Sequence, residues 1–488
     1  MDKTKEFIWL ADNELRINLY KLASDGIKVW LEGEKGKVTE ETLIWMRHNK
    51  AAIVSYLLEK ETVQEKGFDL TPIQKAYFLG RDNIYELGGI SANYYFEIDM
   101  DMLDVEKFER IFNQVICENE ALRGIILNCG KQAVLKEVPW YFVEVTCVKD
   151  EIEQKALRLE WESKMYPLES WPMFHVGLTT KDNSSYRLHV GFDCILLDAW
   201  SVTLMLKQIY KLYENEKIIV PAYTFREYCN EQGKLQNEKL QEQAKRYWDQ
   251  RCGRLPKAPA LRYANSLSNI HMPHFRRINY ELPKTDTEMI YIKAKKYKVT
   301  PAAVLCTVYM KVLAEYAEHP VFSINLTVFN RLSANKEVQE VLGDFTNISI
   351  AVYKVKEGRP FREEVLDTQK EFWNLVKYRG YEGVKILRKM PKDSPVQASL
   401  PVVFTGILQG LKQADYYLPN WAREIYAYSQ TPQVSLDYQV TDFKGNLSIN
   451  WDYVVQAFDN FMIQEMFDKN IALLRKIIQL GWEQEIGI

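Results

Sequence analysis

The sequence predicts an α/β protein of two lobes behind a small N-terminal domain, and three observations predict it. From Phe68 to Ile488, runs with strand periodicity alternate with amphipathic helical runs, without low-complexity stretches or large charge blocks. The Pro-punctuated segment Leu255-Pro256-Lys257-Ala258-Pro259-Ala260-Leu261 is unsuited to regular structure and divides that body into two parts of similar size. Residues 1–60 carry a self-contained pattern, followed by the polar run Glu59 to Gly67. The expected units are a small domain over 1–60, a linker over 61–67, a first lobe over 68–262 and a second over 263–488.

In the small domain, Leu15, Leu19 and Leu22 recur at helical spacing, and Ser24-Asp25-Gly26 stops that helix. Ile27 to Leu31 reads as a strand, Glu34-Lys35-Gly36 as a turn, and Lys37-Val38 as a short return strand. Thr39 is a good N-cap for a second helix, with Glu40 and Glu41 at the positive end of its dipole and Leu43, Met46, Ile53 and Leu57 inward. The order is α-β-β-α. A hairpin in so small a unit leaves a strand edge free, which suits capture of an extended peptide as an added strand.

In the first lobe, Asn93 to Ile98 is a strand and Val105 to Asn119 a helix with Phe108, Ile111, Phe112 and Val115 inward. Tyr186 to Phe192 alternates Leu188, Val190 and Phe192 against His189 and Gly191, so it is a strand, and Trp200 to Tyr213 is an amphipathic helix. The second lobe begins with a strand ending at Leu282, followed by a helix from Pro301 to Tyr316, where Pro301 fits the first helical position. Strands then follow near Val321–Val328, Asn347–Val355, Leu400–Phe404, Val434–Val440 and Leu447–Tyr453, and a helix through Ile471 to Leu480 closes the chain.

Composition narrows the function. Among 488 residues, 63 Lys and Arg face 66 Asp and Glu, a net charge of −3 without a basic cluster, which speaks against nucleic acid. Hydrophobic residues at 47% and aromatics at 13% exclude disorder over most of the chain. No apolar run is long enough to span a bilayer, and the polar start has no secretory h-region. Seven dispersed cysteines without a C-x-x-C pair read as reduced thiols and not as a zinc site, so a cytoplasmic location is expected. His271 and His274 are separated by Pro273, which argues against a helical metal face. Phosphate-binding glycine loops and nucleophile elbows are absent.

The most informative stretch runs from the strand Tyr186–Phe192 into Asp193-Cys194-Ile195-Leu196-Leu197-Asp198. Two carboxylates at a strand-to-helix connection need hydrogen-bond or ion-pair partners. Spacing alone leaves open an N-capping Asp198 with a salt-bridged Asp193.

This stretch resembles the D-x-x-x-x-D motif of heterocyclization domains of nonribosomal peptide synthetases, relatives of condensation domains whose motif here is H-H-x-x-x-D-G. Asp193 stands in place of the first His and Cys194 in place of the catalytic one. Other signatures follow in order: Leu70-Thr71-Pro72-Ile73-Gln74 through Leu79-Gly80-Arg81, the proline-rich Leu255–Leu261, Gly343-Asp344-Phe345-Thr346, Pro401-Val402-Val403-Phe404-Thr405, and Gln430-Thr431-Pro432-Gln433-Val434-Ser435-Leu436-Asp437-Tyr438-Gln439. The chain departs from the family at Glu118-Asn119-Glu120-Ala121-Leu122-Arg123, which lacks a usual Arg-His pair, and at Gly406, where Ser is common. Residues 1–60 separately resemble N-terminal docking domains of synthetase subunits, most clearly around Gly26 to Gly33.

The resemblance implies two chloramphenicol-acetyltransferase-like lobes forming a V-shaped pseudo-dimer with a tunnel between them. It implies amide formation between an upstream acyl thioester and a carrier-bound Cys, Ser or Thr, then cyclodehydration to a thiazoline or oxazoline. Asp437, on a strand flanked by Val434, Leu436, Tyr438 and Val440, is expected to be buried with a raised pKa suited to proton transfer, with Thr405 as its companion. Asp193 and Asp198 either contact the acceptor amine or hold the lobes together through Arg123 or Arg331; the second is the preferred reading. A nucleophilic Cys194 is disfavoured, because buried free cysteine is commonly core filler. Substrate contacts are expected from Gln439, Gln433, Ser201 and Tyr77, a structural role at the interface from Asp344, and a docking surface from Lys28, Trp30 and Glu32.

Expected partners are upstream and downstream carrier proteins and the C-terminal docking segment of an upstream subunit. Substrates would arrive on the carriers' 4′-phosphopantetheine, with no cofactor held by this chain. The absence of adenylation and carrier motifs leads to the expectation that the chain is a piece of a longer synthetase. The rival readings are a condensation domain that stops at the amide and a catalytically silent scaffold.

Overall fold

The computed structural model describes residues 16–23, 26–32 and 67–488, leaving aside 102, 181–184, 232–237, 332, 334, 392–396, 409–421 and 444. Within the N-terminal region, Arg16–Ala23 is a strand paired antiparallel with Gly26–Glu32. The spacing of Leu15, Leu19 and Leu22 predicts a helix there. The same residues also alternate, Ile17 and Leu19 against Arg16 and Asn18, and that period of two serves a hairpin once Gly26–Glu32 lies alongside. The expected return strand, the second helix and the linker up to residue 66 lie outside the described residues.

The body has two principal sheets. The first, in spatial order, contains Ala422–Gln430, Asn93–Met100, Tyr186–Asp193, Phe174–Thr180 and Glu144–Cys147. The second contains Phe275–Leu282, Asn446–Val454, Leu436–Phe443, Val402–Ile407, Val321–Phe329 and Thr346–Lys354. Its middle strands, 321–329, 402–407 and 436–443, run parallel, and the outer pairings are antiparallel. The irregular segment 255–261 lies between the two units, as its prolines predict.

Alternation along the strands sorts the two faces of the second sheet. Leu436, Tyr438, Val440, Ile449 and Trp451 are buried against the helices Pro301–Tyr316 and Asn460–Gln479. Rings interlock there: Tyr309 lies 4.9 Å from Tyr438, and Trp451 meets Phe467 edge-on at 5.5 Å. Residues one step out of phase, Asn325, Thr327, Thr405, Asp437, Gln439, Asn450 and Asp452, form the opposite, polar face. The first sheet follows the same logic. Phe96, Ile98, Leu188, Val190 and Phe192 pack under the helices Val105–Glu118 and Ala199–Tyr213. Tyr95, Glu97 and His189 face the helix Glu151–Glu162.

One strand breaks the two-part division. Ala422–Gln430 belongs in sequence to the second part but completes the first sheet, pairing with Asn93–Met100 from Ala422↔Met100 to Gln430↔Asn93. The two units are thus joined by a ladder as well as by side chains. Among the described residues, no helix is long and apolar enough to cross a membrane.

Candidate functional site

The polar face of the second sheet borders a cleft of about 330 Å³. Tyr77 and Gly80, at the end of the helix Pro72–Gly80, form one wall; Asn325, Thr327, Gln433 and Asp437 form the other. That helix starts at Thr71, whose hydroxyl and backbone exchange hydrogen bonds with Gln74 in a capping box. It ends against Pro432, where Gly80 permits a contact that a Cβ would obstruct. A second cavity of about 290 Å³, lined by Lys75, Asn330, Asp344 and Asn347, adjoins the first through the shared residues Ile73, Thr346, Val384 and Arg388.

Adjacent parallel strands bring Asp437 and Thr405 together, since Val403 registers with Asp437 and Thr405 with Gln439. The Thr405 hydroxyl lies 3.1 Å from Asp437 Oδ1 and 2.9 Å from Thr327 Oγ1. Gln439 Nε2 donates to Asp437 Oδ2 at 2.8 Å. Asp437 is only 8% exposed. Burial is the main cause that pushes its pKa up to about 6, reinforced by the neighbouring Asp452 and opposed by the hydrogen bonds from Gln439 and Thr405 and by Arg277.

Thr405 has one proton and two neighbours, so its direction depends on the state of Asp437. Beside a carboxylate it donates to Oδ1. Beside a protonated Oδ1 it accepts and turns its own proton to Thr327. This arrangement accepts and returns a proton by rotating one hydroxyl.

Asp198 caps the helix Ala199–Tyr213, accepting from Ser201 N at 2.6 Å. It also accepts from Phe345 N at 3.1 Å and from Arg331 Nη2 at 3.1 and 3.4 Å. Ser201 Oγ donates to Gly343 O at 2.7 Å and receives Gly343 N at 3.0 Å. Asp198, Ser201, Arg331 and the Gly343–Phe345 backbone thus form one buried clamp across the two units. Ser201, expected as a substrate contact, is fully buried in this clamp.

Asp193 forms an ion pair with Arg81, which also donates to Tyr166 O at 2.9 Å. Burial pushes the Asp193 pKa up, against the attraction of Arg81. Arg123 does not reach either aspartate. Its guanidinium donates to Leu135 O at 2.5 Å and Lys136 O at 3.1 Å, because the 3-10 turn Glu120–Arg123 directs it to the neighbouring hairpin. Of the two expected arginines, Arg331 binds Asp198 and Arg123 binds neither aspartate, while Asp193 pairs with Arg81, which that expectation leaves out. The signal was present in sequence, since Arg81 closes the Leu79-Gly80-Arg81 motif just after the helix.

Asp344 is fully buried. Its Oδ1 accepts from Thr346 N at 3.0 Å, while Oδ2 has no hydrogen-bond partner among the described residues. Burial holds its pKa well above the usual carboxylate range. Burial likewise raises the Cys194 thiol pKa, with Asp193 and Asp344 adding to it, so a thiolate nucleophile is disfavoured. Tyr77 keeps its phenolic proton for the same reason, beside Asp344, Cys194 and Asp437. Gln433 lines the cleft from a backbone with φ of 64°, its N–H donating to Leu87 O at 3.0 Å. Lys28, Trp30 and Glu32 lie on the strand Gly26–Glu32, and their side chains are outside the described residues.

Comparison with known proteins agrees with this architecture. A family described as "Condensation domain" matches residues 64–485. Bacitracin synthase 1 of Bacillus licheniformis is 28% identical over 438 residues, covering 87% of this chain and 8% of that protein. Pyochelin synthetase PchF of Pseudomonas aeruginosa is 28% identical over 424 residues, covering 84% of this chain and 23% of its own length. The chain therefore spans less than a quarter of either relative. Among solved structures, the EpoB NRPS cyclization-docking bidomain from Sorangium cellulosum superposes with a TM-score of 0.78 at 22% identity, covering 98% of this chain and 99% of that one. That likeness shows a shared fold.

Proposed function

This chain belongs to the condensation-domain family, and from that premise we propose that it is a heterocyclization domain of a nonribosomal peptide synthetase. The amine of a carrier-bound Cys, Ser or Thr attacks an upstream acyl thioester, forming an amide and freeing the upstream carrier's thiol. The side-chain thiol or hydroxyl then adds to the amide carbonyl. The former carbonyl oxygen leaves as water, taking the protons that the nucleophile and the amide nitrogen lose.

The observation that carries this reading is Asp437: a carboxyl at the wall of the cleft with a pKa near 6, bonded to a hydroxyl that can reverse direction. In its neutral form it protonates the departing oxygen, and in its charged form it removes the nitrogen's proton. Such positioned proton transfer typically contributes about 10²–10⁴-fold. Thr405 relays or orients, Gln439 holds the carboxylate, and Tyr77 and Gln433 border the substrate. The Asp198–Arg331 clamp keeps the two walls in register.

Substrates would arrive on the 4′-phosphopantetheine arms of two carrier proteins, so tethering would govern their capture. The N-terminal hairpin would dock a C-terminal segment of an upstream subunit by strand addition.

Reconstitution with loaded carriers and mass spectrometry of the carrier-bound product tests the reading. The wild-type chain is expected to yield a product one water lighter than the amide. Asp437→Ala and Thr405→Ala are expected to accumulate the amide, with the cyclization rate about 10²-fold lower. Amide alone from the wild type identifies a condensation-only domain, and unchanged substrates identify a scaffold.

A further inference from the structure

We propose that Ser429 is a positioning residue for Asp437, acting through the amide of Gln439 and from a strand that belongs to the opposite sheet. The catalytic consequence rests on the cyclodehydration reading above; the positioning itself rests on hydrogen-bond geometry.

The directions of the hydrogen bonds follow from one donor. Arg277 has no acceptor, and its Nη2 lies 2.9 Å from Gln439 Oε1, so the amide must present its oxygen there. The amide nitrogen is thereby turned the other way, 2.7 Å from Ser429 Oγ and 2.8 Å from Asp437 Oδ2. Both of its protons are then used. Ser429 receives one of them, so its own proton goes to Asp452 Oδ2 at 2.7 Å. Arg277 closes the ring by donating to both oxygens of Asp452 at 2.7 and 2.6 Å.

The consequence reaches the reacting group. Because Oδ2 of Asp437 always receives a proton from Gln439, the exchangeable proton of Asp437 resides on Oδ1, beside Thr405 and Thr327. Ser429, 7% exposed, and Asp452, 1% exposed, leave little room for water to replace a lost partner. Removing the serine hydroxyl frees one amide proton of Gln439 and one oxygen of Asp452, and lets the amide rotate away from Asp437.

Ser429 does not belong to the sheet that carries Asp437. It lies on Ala422–Gln430, opposite Tyr94 of the first sheet. The orientation of the acid in one unit is therefore held by an element anchored in the other. A displacement between the units that moves this strand withdraws the hydroxyl from Gln439.

The other charged and titratable groups around Asp437 are Asp452 and Arg277 on neighbouring strands, Tyr77 across the cleft and Tyr309 on the helix beneath. None of them replaces the bond from Gln439. A hydrogen bond donated to a carboxylate favours its charged form, so loss of that bond moves the Asp437 midpoint to higher pH.

Ser429→Ala and Ser429→Thr in the full chain decide the matter, with two readouts. With loaded carriers, Ser429→Ala is expected to slow water loss from the tethered amide about tenfold more than it slows amide formation, and to move the pH profile of that step upward. Ser429→Thr, which keeps a hydroxyl, is expected to restore both. Equal slowing of the two steps with an unmoved profile would overturn the proposal.

The second readout needs no turnover. pH-difference infrared spectroscopy, with Asp437→Asn identifying the carboxyl band, is expected to show a higher midpoint in Ser429→Ala than in the wild type. An unmoved midpoint overturns the positioning role whatever the activity shows. A moved midpoint in a chain that forms no heterocycle overturns the proposed function and leaves the positioning role standing.

Discussion

Asp437 shows how a single burial decision couples stability to chemistry. Its pKa in the folded chain, about 6, lies above the ordinary value of about 3.9 for an unfolded aspartate. The folded state thus binds its proton more tightly. Ionisation of Asp437 destabilises the fold above pH 6, and the penalty vanishes as the pH falls below about 4, where both states are protonated. Asp437→Asn is therefore expected to raise the unfolding free energy at pH 8 by roughly 1–3 kcal/mol and to have little effect at pH 4, while abolishing cyclization. Denaturation curves at the two pH values check this, and equal effects at both would contradict a strained charge. The strand is legible in sequence, because Leu436, Tyr438 and Val440 alternate with Asp437, but that pattern turns Asp437 to the other face, where the opposing wall with Tyr77 buries it. The partners that tune its pKa, Arg277, Ser429 and Asp452, are not legible there, since they come from three other strands and meet only in the folded sheets.

Among the elements, the connection carrying Gly343-Asp344-Phe345-Thr346 has the most exacting geometry. The Gly343 carbonyl accepts from both Ser201 Oγ and Asp198 N, at 2.7 and 3.1 Å, and its N–H donates to Ser201 Oγ. A Cβ at this position would collide with the ring of the buried Phe225. Gly343→Ala is expected to cost about 1–3 kcal/mol by overpacking, lowering the melting temperature and loosening the Asp198–Arg331 clamp. A calorimetric scan indistinguishable from the wild type would show that Phe225 moves aside freely. Most strands and helices of the two lobes named from periodicity agree with the structure to within a few residues, and Pro301–Tyr316 is reproduced end to end, whereas the closing helix begins at Asn460, well before Ile471. The hairpin at Arg16–Ala23 and the crossing strand Ala422–Gln430 escaped, because each depends on a pairing partner that local pattern does not name.

Across the whole molecule, the buried histidines of the first unit and Asp437 of the second respond oppositely to acid. The first holds two buried, neutral histidines. His175 is pushed down to about 3, chiefly by burial and secondarily by Lys164, and burial drives His189 well below the usual histidine value, with Arg187 adding to it. His189 lies between the Tyr95 hydroxyl at 2.6 Å and the Thr179 hydroxyl at 2.8 Å, under a Glu97 held by Arg158 at 2.5 and 2.6 Å. A depressed pKa means that stability is full above the unfolded value of about 6.5 and is lost as the pH falls below it. Asp437 in the second unit acts in the reverse sense. Between pH 7 and pH 4 the strands Phe174–Thr180 and Tyr186–Asp193 are therefore expected to lose hydrogen-exchange protection before Leu436–Phe443 does. Simultaneous loss would mean that the crossing strand and the clamp bind the units into one cooperative block.

Taken alone, the sequence determined the family, through ordered motifs. It determined most of the secondary structure, because periodicity reflects which face each element buries. It pointed to Thr405 beside Asp437 through the resemblance of their two motifs, and the adjacent parallel strands then bring the pair within hydrogen-bond distance. Tertiary structure decided which of the sequence's arginines pairs with Asp193, Arg81 and not Arg123, and it alone decided that Ser201 belongs to the clamp and that a strand from the second unit completes the first sheet. Each of those depends on where a side chain or strand edge lies in space relative to a residue far away in sequence. Local pattern carries the free energy of burial; it does not carry the identity of the distant group that satisfies a buried charge or an open edge.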